Sequence, residues 1–279
     1  MAMTNSLLAD RPLPTPPSAA RPLITGPTYS LHLTADPRDI VAAQRLRFAV
    51  FSREPGFASA MAGVTDGRDA DRFDDFCDHL IVRRNDTDEV VGCYRMLPPT
   101  GAIAAGGLYT ATEFDLAELD PIAPQTVEMG RACVAVEHRS GSVMALMWSG
   151  ILRYLDDTGH RYAVGCTSVP VDIGDGTAPG AHIRGIRDLV RDRHRAPWEV
   201  HPRTPVDIDG RGLDDIAPPS RPALPPLLRG YLRIGAQICG EPAHDLVFGV
   251  ADFVTIIDKQ QANTRYLDRL RSAADAAEA

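Results

Sequence analysis

The chain has 279 residues, 44% of them hydrophobic and 24% charged, and a formal net charge of -8. That length can bury a sizeable core, and that composition is ordinary for a soluble globular protein. The acidic balance argues against nucleic acid as a partner, because neutralising phosphates needs a basic face.

Residues 1–27 hold six prolines, at 12, 14, 16, 17, 22 and 27, and little that can pack, which predicts a disordered tail. Thr28 to Thr34 reads as a first strand. Asp36-Pro37 is N-cap chemistry, and Ile40, Ala43, Leu46 and Val50 mark the buried face of a helix running to about Phe51. Residues 58–72 read as a loop or short irregular helix. A hairpin follows, His79 to Arg84 and Glu89 to Leu97, turned by Asn85-Asp86-Thr87-Asp88. A loop rich in Pro, Gly and Ala leads to a strand over Thr126 to Val136. An amphipathic helix runs from Val143 to Asp157 with Gly159 as its cap, then a strand from Arg161 to Thr167. Residues 171–226 are Pro-, Gly- and Arg-rich and read as an insertion or cover. Pro225 to Cys239 reads as a helix stopped by Gly240, Asp245 to Ile257 as a last strand, and 261–279 as a polar helix or tail. The order predicts a mixed α/β sheet in one domain over 28–260.

The strand over 126–136 carries Glu128-Met-Gly-Arg131 amid Val127, Met129, Ala132, Cys133 and Val134. A carboxylate and a guanidinium are costly in a core strand unless paired or used. Three residues apart on a regular strand they face opposite sides. A bulge at Gly130 would bring them to one side. Arg139-Ser-Gly141-Ser142 then opens a helix, and a helix N-terminus is an anion site by geometry and dipole. Asp75 and Asp78, with Asp71 and Asp74 nearby, form a carboxylate cluster that suits a cation or simply a solvated turn. The spacing lacks the calcium-loop glycine and terminal glutamate, and no metal is expected. Arg95, within a strand, needs a partner such as Glu128 or Asp78. The five widely spaced cysteines, without a CxxC, predict free thiols in a reducing compartment. No apolar run reaches 18 residues and no signal peptide is evident, so a cytoplasmic protein is expected.

Several motifs occur in order: Arg47-x3-Phe51, Glu54-x-Gly56-Phe57, Asp74-Asp75-Phe76-Cys77-Asp78-His79-Leu80-Ile81-Val82, Val91-Gly92-x2-Arg95-Met96-Leu97 and Glu128-Met-Gly-Arg131. Later come Trp148-Ser-Gly-Ile-x2-Tyr154, Gly165-Cys166-x-Ser168-Val169-Pro170 and Tyr231 to Phe253. The set, covering about residues 30 to 257, resembles the N-acyltransferases that start bacterial ornithine-lipid synthesis, relatives of the acyl-homoserine lactone synthases in the GNAT superfamily. The resemblance implies a GNAT fold, a mixed twisted sheet with a bulged central strand flanked by helices. It implies transfer of a fatty acyl group, with 3-hydroxylation left open, from the phosphopantetheine thioester of acyl carrier protein to the α-amine of an amino acid, ornithine first, giving a lyso-ornithine lipid. No tightly bound cofactor is expected. Acyl-coenzyme A is an alternative donor, disfavoured because the pyrophosphate signature is incomplete, with His138 three residues before Gly141.

The same resemblance assigns Glu128 and Arg131 to catalysis, and Arg47, Phe51, Glu54, Asp75, Asp78 and Arg95 to substrate. Arg139, Gly141 and Ser142 go to the acyl donor. A basic stripe, Arg184, Arg187, Arg191 and Arg193 with Arg139 and Arg153, is the candidate docking patch for an acidic carrier protein. Peripheral contact with the inner membrane surface and a downstream O-acyltransferase acting on the product are further expectations. The alternatives are an N-acyl amino acid or homoserine-lactone-type signal synthase, or a non-catalytic acyl- or carrier-protein-binding domain of the same fold.

Overall fold

In the computed structural model, the described residues are 22–54, 57–139, 141–266 and 268. Most of the proline-rich tail and most of the C-terminal tail expected from sequence lie outside them. A nine-stranded sheet forms the centre. Its strands are β1 (Ile24–Thr25), β2 (Tyr29–Thr34), β3 (Asp78–Arg84), β4 (Val90–Leu97), β5 (Thr126–Val134), β6 (Tyr162–Pro170), β7 (Gln237–Ile238), β8 (Ala243–Asp245) and β9 (Val250–Asp258). They are ordered β1-β2-β3-β4-β5-β6-β9-β7, with β8 also on β9. Only β5 and β6 pair in parallel.

Helix α1 (Pro37–Phe51) starts as its sequence dictates: Asp36 accepts a hydrogen bond from the Arg38 N–H at 2.8 Å, and Pro37 fills the first helical position. It covers one face of the sheet, placing Ala43 and Val50 against Ile81, Cys93 and Cys133. A short helix α2 (Pro99–Ala105) occupies a stretch that reads as loop; its small residues carry no period, and only the Pro98-Pro99 start and the left-handed Gly106 cap mark it. Helix α3 (Ser142–Asp157) covers the opposite face, packing Val143, Met147, Ile151 and Leu155 on Leu31, Leu80, Val82 and Val127. Residues 171–226 include α4 (Ala181–Arg193), whose Ile183, Ile186 and Val190 pack on Val169, Ala251 and Phe253. Helix α5 (Pro226–Ile234) is shorter than its apolar pattern suggests. Gly235, at φ +103°, stops it, and the chain returns as β7. The apolar stretch from 245 to 257 is likewise two strands, because residues 246–249 turn between β8 and β9.

The feature that positions the site is a splay. Parallel pairing of β5 and β6 ends at Glu128 opposite Val164, after which β5 follows β4 and β6 follows β9. Gly165 lies at the fork. A Cβ there would sit 2.3 Å from the Met129 carbonyl oxygen, so only glycine permits the approach.

Candidate active site

A cavity of about 520 Å³ opens at this splay. One part is apolar, lined by Tyr94, Met144, Trp148, Leu227 and Tyr231. The other is charged, lined by Arg95, Glu128, Arg131, Ser168, Asp245 and Asp252.

The bulge is present, one residue beyond the expected Gly130. Cys93 pairs with Cys133 and Arg95 with Gly130, so two steps on β4 match three on β5. Arg131 takes the strain, at φ +52°, a conformation rare for a residue with a side chain. The bulge brings Glu128 and Arg131 to the same cavity but not into contact as a pair. Glu128 accepts hydrogen bonds from the Tyr109 N–H at 2.7 Å, the Thr110 N–H at 2.7 Å and the Thr110 hydroxyl at 2.5 Å. Burial raises its carboxyl above the ordinary range, and these donors oppose the shift. Arg131 instead pairs with Asp69 at 3.2 Å and Asp71 at 3.4 Å, and its guanidinium sits 5.2 Å from the centre of the Tyr109 ring.

Arg131 is held by a buried network of three arginines and three aspartates. Arg47, 1% exposed, pairs with Asp69 at 2.8 Å and grips both oxygens of Asp74. Arg95 reaches Asp71 at 2.5 Å and Asp74 at 3.2 Å. The neighbouring guanidiniums hold the Asp74 carboxyl well below its usual range, outweighing its burial.

The structure redistributes the sequence-predicted residues. Phe51, Glu54, Arg95, Glu128, Arg131 and Arg139 line the cavity; Arg47, Asp75, Asp78, Gly141 and Ser142 do not. Arg47 pairs with Asp69 and Asp74 outside the cavity lining, so it braces the network rather than facing the cavity. Asp75 is exposed on a short helical turn and does not line the cavity. Asp78 accepts a hydrogen bond from the Tyr154 hydroxyl at 2.5 Å. Arg95 pairs with Asp71 and Asp74, not with Glu128 or Asp78. At the mouth, Arg139 pairs with Glu54 at 2.6 Å. The basic stripe is also corrected. Arg187 is 5% exposed and pairs with Asp188, Asp214 and Glu241; Arg184 pairs with Asp188 and Asp214, Arg191 with Glu241, and Arg193 with Asp192. Arg187 ties α4 to Asp214 and Glu241, and each of the four arginines has a carboxylate beside it, Arg191 and Arg193 staying largely exposed.

Sequence reasoning missed a second carboxylate group. Oxygens of Glu113, Asp245 and Asp252 lie within 4.8 Å of one another, a set able to hold a cation. Ser168 donates to Asp252 at 2.6 Å. Burial and mutual repulsion push Glu113 up to about 8 and Asp252 up to about 6. The Tyr109 phenol interacts with both Glu113 and Arg131. A signal existed for Asp252, a carboxylate inside the apolar run Val250 to Ile257. None existed for Glu113, which a loop delivers from far away in sequence.

A mixed sheet whose bulged strand splays from its parallel neighbour over a half-apolar, half-charged cavity defines a GNAT-type acyltransferase. Residues 46–149 match the acetyltransferase (GNAT) domain family. The chain is 34% identical over 243 residues to an L-ornithine N(alpha)-acyltransferase of Brucella abortus (strain 2308), covering 82% of this chain and 83% of that one. It is 33% identical over 241 residues to the enzyme of the same name from Rhizobium meliloti (strain 1021), covering 82% and 80%. A solved CoA-dependent acyl-homoserine lactone synthase with MTA is 14% identical, with a TM-score of 0.48 over 85% of this chain and 82% of that one. The chain belongs to the L-ornithine N(alpha)-acyltransferase family and is an N-acyltransferase.

Proposed function

We propose that the protein moves a fatty acyl group from acyl carrier protein to the α-amine of ornithine, giving a lyso-ornithine lipid. The names of its relatives support the acceptor. The observation that carries the reading is that Arg131 and the Asp245 and Asp252 carboxylates line one cavity. Arg131, whose contacts to Asp69 and Asp71 are long enough to be exchanged, suits an α-carboxylate, and the Glu113, Asp245 and Asp252 group suits the distal ammonium of a dibasic amino acid. The apolar part of the cavity suits the acyl chain, including a 3-hydroxylated one. The incomplete pyrophosphate signature at His138 supports carrier protein over coenzyme A.

The amine attacks the thioester carbonyl only when neutral, so a base must take its proton. Glu128 is that base in this reading, directly or through a water. One of its oxygens accepts only the Tyr109 N–H among its hydrogen bonds. Backbone N–H groups of the bulged strand stabilise the oxyanion of the tetrahedral adduct. The adduct collapses to the amide and expels the pantetheine thiolate, which takes up a proton. Arg139 at the cavity mouth suits the pantetheine phosphate, exchanging it for Glu54.

Norvaline tests the acceptor reading, since it is ornithine without the δ-amine. The wild type is expected to prefer ornithine by about 10²-fold or more in kcat/KM, because a built cation site is left unpaired by norvaline. Glu113→Gln with Asp245→Asn is expected to bring the two acceptors within about tenfold of each other. Equal use of both by the wild type would remove these carboxylates from acceptor recognition.

A further inference from the structure

The turn between β8 and β9 exposes two adjacent aliphatic side chains, Leu246 at 73% and Val247 at 67%. Three of its backbone groups nevertheless have partners in the protein. Asp245 accepts from the N–H groups of Val247 at 2.8 Å and Phe248 at 3.0 Å, and the Gly249 carbonyl accepts from Val171. Such a tip can leave water without stranding these backbone groups, and an unsatisfied backbone group is what makes a turn costly in lipid.

The position of the tip matters as much as its composition. Asp245 and Phe248, which flank the pair, both line the cavity. Phe248 packs on Phe57 and Phe57 on Phe51, so an aromatic wall runs from the tip into the site. A third exposed apolar residue, Val136 at 50%, lies three residues before Arg139 at the cavity mouth. Two of the six exposed large hydrophobics among the described residues, Leu246 and Val247, therefore sit between two cavity-lining residues.

We propose that the Leu246–Val247 tip inserts into the apolar layer of a lipid surface, and that the cavity delivers its acylated product there. The inference rests on the reading that the transferred acyl group is fatty. An amide carrying such a chain is an amphiphile, and a rim already seated in lipid lets the chain pass from cavity to bilayer without crossing water. An acidic carrier protein is the poorer occupant: the chain carries -8 overall, and the tip offers no cation.

The experiment is co-sedimentation of the full chain with phosphatidylcholine vesicles, for the wild type, Leu246→Ser with Val247→Ser, and Ile103→Ser. Ile103 is 81% exposed but does not line the cavity, which makes it the control. The wild type and the Ile103 variant are expected to bind alike. The double variant is expected to partition about 10²-fold less, at roughly tenfold per aliphatic side chain. Binding by apolar insertion is expected to survive 0.5 M salt, which screens charge attraction. Activity on a short-chain pantetheine thioester in solution is expected to be the same for all three, since neither tip residue lines the cavity. Wild-type protein that ignores vesicles, or a double variant that binds as well as wild type, overturns the proposal. So does a double variant that keeps vesicle binding but shows a raised KM for acyl carrier protein, because the tip would then be a protein-docking element. Absence of turnover with any thioester, alongside tip-dependent vesicle binding, would instead sink the catalytic reading and leave the lipid contact standing.

Discussion

Asp74 shows how one side chain can hold an active site it never enters. It is 4% exposed and takes hydrogen bonds from Arg47, Arg95 and Gln44. Replacing it with Asn leaves Arg47 buried beside too little negative charge. Asp74→Asn is expected to cost about 3–5 kcal/mol in urea unfolding, the range for breaking a buried ion pair. A loss under 1 kcal/mol would mean Asp69 and Asp71 suffice. Its depressed folded pKa also fixes a sign: the stability it contributes is present above its unfolded value and is lost as pH falls through the acid range. Glu113 and Asp252 run the other way. Their folded pKa values, about 8 and about 6, lie above their unfolded ones, so the folded state binds more protons there. Stability from these groups is full below the ordinary carboxylate range and falls as pH rises through 6 and then 8. Thermal unfolding is expected to show the wild type losing Tm from the ordinary carboxylate range up to about pH 8, with Glu113→Gln losing less; equal slopes would assign the trend elsewhere. Glu128→Gln is expected to keep the fold and lower kcat by about 10²–10⁴. The acid limb of the wild-type pH profile should lie above the ordinary glutamate range, because burial raises this carboxyl. Unchanged kcat at neutral pH would leave Glu128 as a brace for Tyr109 and Thr110.

At the scale of elements, the site is made by the departure of β5 from its neighbour. Gly165 tests this directly. Gly165→Ala places a methyl 2.3 Å from the Met129 carbonyl, against backbone that cannot step aside cheaply. Stability is expected to fall by about 1–3 kcal/mol, the cost of overpacking, with kcat reduced as β5 is displaced. Wild-type turnover would show that the fork tolerates widening. The strand itself was legible in sequence, because Glu128 and Arg131 in an apolar run are too costly to be scaffold. The need for a bulge was legible too, since only an extra residue brings both to one cavity. Its place was not: the bulge falls on Arg131, although Gly130 is the residue whose chemistry invites it. The charge partners were not legible either. Asp69 sits in a stretch that reads as loop, and local spacing says nothing about which arginine it will meet. Asp75 and Asp78 looked like a site because they are close in sequence. Glu113, Asp245 and Asp252 make a tighter group because β8, β9 and a distant loop converge in space.

Across the whole molecule, charge is arranged against itself. The surface is acidic overall, and many arginines are paired with carboxylates, including the α4 set that sequence spacing made into a stripe. In the cavity lining, Arg139 is bound to Glu54. No helix among the described residues is long and apolar enough to cross a membrane. In the proposed function, one end of each substrate enters a single cleft, the acceptor's carboxylate and ammonium against its charged lining and the acyl chain against its apolar lining. The central claim is that these meet at the α-amine. It is tested by incubating purified protein with a long-chain acyl carrier protein thioester and ornithine labelled with ¹⁵N at either the α or the δ position. The product is then read by mass spectrometry and by the ¹⁵N splitting of its amide proton. The account requires one N-acyl product, with the amide proton split only in the α-labelled sample. Acylation at the δ-nitrogen, or no amide with ornithine while another amine is acylated, would contradict it.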